Sequence, residues 1–177
     1  MKKADPDPQA KQGLQASQER YHTIPRVLIF VHNRDDILLI KGAPTKRIWA
    51  NRYNGIGGHV EAGEDIYTAA QRETFEETGL EVHHLRLRGV VNIDVGEPTG
   101  IMLFVFTAHS DKRQTRPSAE GTLEWVSPTQ LLEYDLVEDI PVLLERMAQT
   151  DNDVLPFFAR YDYDEQEQLR ITFAALS

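Results

Sequence analysis

The stretch GGHVEAGEDIYTAAQRETFEETGL, residues 57–80, sets Glu61, Glu64, Asp65, Glu73, Glu76 and Glu77 against one cation, Arg72. Its second half is helical by every local sign. Asp65 is a good N-cap and Gly79 followed by Leu80 is the usual stop, so the pattern predicts a helix over 65–78. At 100° per residue, Ala69, Ala70, Glu73 and Glu77 fall within about 60° of Ile66, with Glu76 at the edge of that sector. The acids therefore extend the stripe that packs on the protein. Carboxylates three and four residues apart already repel on an exposed helix. Drawing them toward an interior costs several kcal/mol or raises their pKa values. A divalent cation removes the conflict.

Hard oxygen donors, with no cysteine in the chain and no histidine at matching spacing, favour Mg²⁺, with Mn²⁺ as a substitute, over Zn²⁺. The bland alternative is a solvated acidic helix face. What opposes it is the order of the surroundings. Gly55, Gly57 and Gly58 lie just before the helix and Gly63 lies in the loop that enters it, where backbone groups can approach a metal or a phosphate.

Outward from this stretch the chain reads as strands. Residues 24–33 (IPRVLIFVHN) and 35–42 (DDILLIKG) form a hairpin pattern, followed by a loop and a short strand around Tyr53 to Ile56. Residues 85–95 and 100–110 and the segment GTLEWVSP add three more strands. SPTQLLEYD, with Ser127 as N-cap, and EDIPVLLERMAQ, with Pro141 in its first turn, read as two further helices. The tail predicts a hairpin of strands 155–163 and 168–174. Strands mixed with three helices imply an α/β fold with a mixed sheet covered by helices.

The 177 residues fit one domain over 21–177 after a leader of about 20 residues, whose Pro, Gln, Asp and Lys content predicts disorder. No apolar run approaches the roughly 20 residues of a membrane span, and the leader lacks a signal-peptide core. With no cysteine, a cytoplasmic location is expected. A net charge of −9 argues against stable DNA or RNA binding, which needs a basic face. A small anionic ligand bridged to the acids by a metal remains compatible. Oligomeric state is not set by these features.

Gly58, Glu64, Arg72, Glu73, Glu76, Glu77, Gly79 and Leu80 occupy the fixed positions of the box that marks the Nudix hydrolases, and the stretch resembles that box closely. Thr74 departs from it, standing where an aliphatic residue is usual. The resemblance implies a Nudix-like layered α/β/α sandwich and a metal-dependent enzyme in which water attacks a phosphorus of a nucleoside diphosphate linked to a further group. It implies Glu73, Glu76, Glu77 and the carbonyl of Gly57 as metal ligands, and an ion pair between Arg72 and Glu64 that orients helix and loop. Glu73, Glu76 and Glu120 stay open as the general base.

Over residues 22–175 the similarity is to the MutT-type purine nucleoside triphosphate diphosphatases. It implies that Asn54 bonds the base, that Glu120 assists the metal, and that Glu138 and Asp139 read the purine edge. Each position has an ordinary structural role as alternative, and Lys41 is either a phosphate contact or an exposed lysine. Leu136 stands where those enzymes place a stacking tryptophan, which transfers that role to Trp49, Tyr53 or Phe104; Trp49 and Trp125 are otherwise expected in the core. The expected reaction is Mg²⁺-dependent hydrolysis of a nucleoside triphosphate to monophosphate and pyrophosphate, with an oxidised purine nucleotide as candidate substrate. Alternatives are another diphosphate derivative, such as ADP-ribose or a dinucleotide, or a silent nucleotide-binding module.

Overall fold

The computed structural model describes residues 20–149 and 155–175. The expected disordered leader, apart from exposed Arg20, lies outside the described residues. Strands β1 (His22–Asn33), β2 (Asp36–Gly42), β3 (Tyr53–Asn54), β4 (Ile56–His59), β5 (His83–Ile93), β6 (Thr99–His109), β7 (Gly121–Val126), β8 (Phe157–Tyr163) and β9 (Leu169–Phe173) form one mixed sheet. Helices α1 (Ile66–Thr78) and α2 (Ile140–Ala148) belong to opposite faces of it.

Strand alternation explains the layers. Along β1, Val27, Ile29 and Val31 point into a core shared with Ala69 and Ala70 of α1, while Leu28 and Phe30 point into a second core with Ile140, Leu143 and Met147 of α2. A strand apolar on both sides needs cover on both sides, so the α/β/α arrangement follows. β1 is the axis of the sheet. One edge pairs in parallel with β6; the other pairs with β2 at Val31–Asn33 but with β4 at Arg26–Ile29. The β3–β4 segment thus passes from β2 to β1, and the short strand expected at 53–56 is divided at Gly55. A Cβ there would lie 2.8 Å from Leu28 Cδ1 and 3.1 Å from the Ile29 carbonyl oxygen, so glycine relieves crowding at the crossing.

Two expectations are corrected. SPTQLLEYD forms only a 3-10 helix over Pro128–Glu133: Ser127 makes no capping bond to the backbone, and no residue of the segment is buried. Leu131 and Tyr134 pack only partly against the α2-side core, too little burial to hold a longer helix. Trp49 is also not a core residue, being 45% exposed.

Candidate active site

Helix α1 is seated by its small residues. Asp65 accepts the N–H groups of Tyr67 and Thr68, and Gly79 ends the helix at φ 73°. Ala69, Ala70, Thr74 and Thr78 form the buried face. The departure at Thr74 is accommodated because its hydroxyl bonds the Ala70 carbonyl at 2.8 Å, leaving its methyl group to pack. Beneath the helix the glycines permit contact. A Cβ on Gly57 would stand 2.1 Å from the Val27 carbonyl oxygen, and one on Gly58 would stand 2.3 Å from Glu73 Oε1.

Arg72 supplies much of the positive charge that the sequence seemed to lack. It binds both oxygens of Glu64 (2.6 and 3.1 Å), Glu73 Oε1 (3.0 Å), Glu76 Oε2 (3.1 Å) and the His59 carbonyl (3.0 Å). Glu64 also accepts the Glu61 N–H, so one guanidinium and one carboxylate lock the loop to the helix. The Arg72 bonds, then the Glu61 N–H, hold Glu64 below the usual carboxylate range. Glu77 is left out of this network. Its Oε2 is buried without a partner. Burial, with the Glu73 and Glu120 charges, pushes its carboxyl up to about 7 against the pull of the Gly57 N–H and Lys46. Because N–H and C=O of a strand residue leave on the same edge, the Gly57 carbonyl is directed toward the helix side as well.

Arg116 escapes a sequence reading. From the loop before β7 it donates to the carbonyls of Phe75 (2.6 Å) and Glu76 (2.8 Å), its own N–H bonds Thr78 O, and its guanidinium lies 5.0 Å from the Phe75 ring. It closes a helix end that has no basic residue of its own. A Cβ on Gly79 would meet its side chain at 3.0 Å, so the box glycine also leaves room for this cap. The same loop delivers Glu120, held by Lys46 at 2.7 Å.

On the other face, Tyr53 N–H donates to Asp135 O and Val137 N–H donates to Tyr53 O, laying residues 135–137 alongside β3. Arg52 reinforces this by bonding Leu136 O (2.6 Å) and pairing with Asp135 and Glu138 (3.4 and 3.3 Å). Glu138 and Asp139 are thereby presented at the start of α2. Asp139 is pushed above its ordinary value, chiefly by burial and further by the Glu138 charge. Asn54 Oδ1 accepts the Gly55 N–H (2.8 Å), which leaves its amide nitrogen as the group to donate.

A cavity of about 520 Å³ joins the two sides: Gly57, Gly58, Glu73, Glu77 and Glu120 line it together with Asn54, Glu138 and Asp139. Glu64, Arg72 and Glu76 stand outside the lining and act on it through the Arg72 network. Lys41 is also outside, its Nζ 5.5 Å from the Tyr53 ring, while Lys46 lines the cavity. Leu136 is buried in the α2-side core. Of Trp49, Tyr53 and Phe104 only Trp49 reaches the cavity, from a backbone at φ 60°. Tyr53 turns away, its ring edge-on to Tyr134 at 4.9 Å and its hydroxyl on Glu124.

The donors on the α1 side are all hard oxygens. Among the described residues no three acidic or histidine side chains converge as ready metal ligands. Arg72 holds Glu73 and Glu76, and Lys46 holds Glu120. The unpartnered buried oxygen of Glu77 and the bare Gly58 backbone against Glu73 nonetheless suit a small divalent cation.

Hydrolysis of a phosphoanhydride is the chemistry this constellation serves. The chain belongs to the Nudix family: the NUDIX domain model matches residues 22–147. It is 32% identical over 124 residues to the mouse "Oxidized purine nucleoside triphosphate hydrolase", covering 67% of this chain and 78% of that one. In structure it is similar to a MutT protein from Bacillus halodurans, with TM-score 0.71 and 23% identity over 85% of this chain and 97% of that chain. The NUDIX domain of Shewanella oneidensis NrtR, solved with ADP ribose, shares the fold at TM-score 0.61 and 14% identity, over 81% of this chain and 98% of that one.

Proposed function

We propose that this protein hydrolyses a nucleoside triphosphate to the monophosphate and pyrophosphate, with Mg²⁺ as cofactor, Mn²⁺ as substitute and a modified purine nucleotide such as 8-oxo-dGTP as substrate. The observation that carries the reading is the single cavity shared by Glu73, Glu77 and Glu120 with Asn54, Glu138 and Asp139. The similarity to the mouse enzyme supports the same substrate class. A cytoplasmic setting fits a free nucleotide substrate; no described helix is long and apolar enough to cross a membrane.

Glu73, Glu76, Glu77, Glu120 and the Gly57 carbonyl would hold the metal. A bound divalent cation supplies charge neutralisation for the phosphates and eases loss of a proton from water. Glu77 would contribute the buried oxygen that no protein group satisfies. Arg72 and Glu64 would fix the helix against the glycine loop, so that the carboxylates are preorganised. Glu120, tethered through one lysine, is the carboxylate we assign to accept the proton of the attacking water. Asn54 would donate to the base, with Glu138 and Asp139 on its edge, and Trp49 would be its aromatic neighbour.

The test is turnover of purified protein with Mg²⁺ on dGTP, 8-oxo-dGTP and ADP-ribose, with product identification and comparison of kcat/KM. Release of pyrophosphate with the highest kcat/KM on 8-oxo-dGTP is expected. ADP-ribose as the best substrate would move the assignment to diphosphate derivatives, and tight nucleotide binding without turnover would establish a binding module.

A further inference from the structure

Three cationic side chains of Lys or Arg line the cavity, and two are committed to protein partners. Lys46 is held by Glu120 at 2.7 Å, and Arg52 by Leu136 O, Asp135 and Glu138. The third is Arg26 of β1. Its Nε is buried with no hydrogen-bond partner, and no ion pair or bond to its guanidinium is made among the described residues.

That isolation has no structural return. A guanidinium stays protonated under all ordinary conditions, and a buried donor without an acceptor opposes folding. Methionine or leucine at this place would cover the same apolar face without that cost. The carboxylates that share the lining do not meet it. A half-buried guanidinium on the cavity wall is left to water or to an acceptor that arrives with the ligand.

Strand register says where such an acceptor would sit. Arg26 is opposite His59 on β4, one residue past Gly58, and opposite Leu103 on β6. Its root therefore stands beside the glycine loop. Alternation puts its side chain on the face of Leu28, which also lines the cavity. A lining rich in glutamate repels a phosphate chain, and a free fork of N–H donors beside the loop offsets that repulsion.

We propose that Arg26 is a substrate-binding residue that takes a non-bridging phosphate oxygen of the nucleotide. The inference rests on the nucleotide-hydrolase reading above. No functional role had fallen to Arg26 from the sequence, because an arginine between Pro25 and Val27 reads as an ordinary strand residue.

Calorimetric titration of wild type, Arg26→Met and Arg26→Lys with a nonhydrolysable α,β-methylene dGTP, with dGMP and with deoxyguanosine tests it, alongside the Tm of each free protein. For Arg26→Met, Kd for the analogue and for dGMP should rise by about tenfold or more, the scale of one charged hydrogen bond. Deoxyguanosine affinity should stay within about twofold, and the Tm of the free protein should hold or rise. Arg26→Lys should recover part of the affinity by charge alone. Wild-type binding of the analogue that Arg26→Met retains would sink the inference and leave the functional reading standing. Equal weakening of all three ligands would place the contact on base or sugar and overturn the phosphate assignment. A fall in Tm with unchanged affinities would make Arg26 structural. If wild type bound no nucleotide, the functional reading would fail and this inference with it.

Discussion

The carboxylates of α1 and those at residues 138 and 139 face one cavity, but they reach it by different routes. Glu73 and Glu77 come from a single stretch in which loop, cap, arginine and stop are adjacent in sequence. Glu138 and Asp139 arrive because Arg52 and Tyr53, more than eighty residues earlier, bind the 135–137 segment to β3. The two sides also treat charge differently. On the α1 side one guanidinium is shared among three carboxylates and a fourth, Glu77, keeps one buried oxygen without a partner; on the α2 side burial shifts Asp139 toward its neutral form. On the proposed reading, chemistry is concentrated where the sequence is contiguous, and selectivity where it is assembled.

The largest expected effect breaks the α1 side alone. Glu77→Gln should lower kcat by about a hundredfold to a thousandfold, the scale of losing one preorganised charged group. The free protein should be no less stable, since the substitution removes a buried carboxylate beside Glu73 and Glu120. Steady-state kinetics with a thermal melt checks both halves. Normal kcat in this variant would remove Glu77 from the reaction. Gly58→Ala should act through Glu73, whose carboxylate must move from 2.3 Å; kcat should fall about tenfold to a hundredfold. A smaller change would mean that Glu73 relocates freely.

Arg116 tests how far the α1 side depends on a remote residue. Arg116→Ala loses the bonds to Phe75 O and Glu76 O and the helix-end charge. Urea unfolding should show about 1–2 kcal/mol less stability. KM and kcat should both change, because the loop bearing Glu120 is released from α1. Arg116→Lys should recover the stability in part; full activity in the alanine variant would show that Glu120 is positioned without this tether.

These differences explain what was legible from sequence. Asp65 and Gly79 are local signals, so the sequence bounds α1 by itself, whereas the Arg72–Glu64 pair follows only from the resemblance to the Nudix box. The mixed sheet was legible from strand patterns, but its division of β1 between β2 and β4 was not, since register depends on a crossing at Gly55. Lys41 reads from sequence as either a phosphate contact or an exposed lysine; in the structure its Nζ lies over the Tyr53 ring, while Lys46 in the following loop lines the cavity. Trp49 reads as core by residue type, yet it stands in a loop at φ 60° and is 45% exposed. Arg116 and the 135–137 tether make contacts across about forty residues and more than eighty, where periodicity carries no information. SPTQLLEYD failed as a full helix because Leu131 and Tyr134 are only partly buried and propensity with so little burial is weak.

The smallest expected effect sharpens the α2 side. Asp139 has its folded pKa raised, first by burial. Between its unfolded and folded pKa values the folded protein therefore binds more protons than the unfolded chain, and the stability from this group is present at low pH and lost as pH rises through the folded value. Asp139→Asn carries a permanently neutral amide of the same shape and should abolish that component. The difference in urea stability between variant and wild type should therefore grow in favour of the variant as pH rises from about 4. On substrates, the variant should change KM and the ratio of 8-oxo-dGTP to dGTP by about tenfold with kcat little altered, because one hydrogen-bonding group on the base edge has changed. A fall in kcat as large as that of Glu77→Gln would show that the two sides of the cavity act as one unit, and the separation drawn between chemistry and selectivity would not stand.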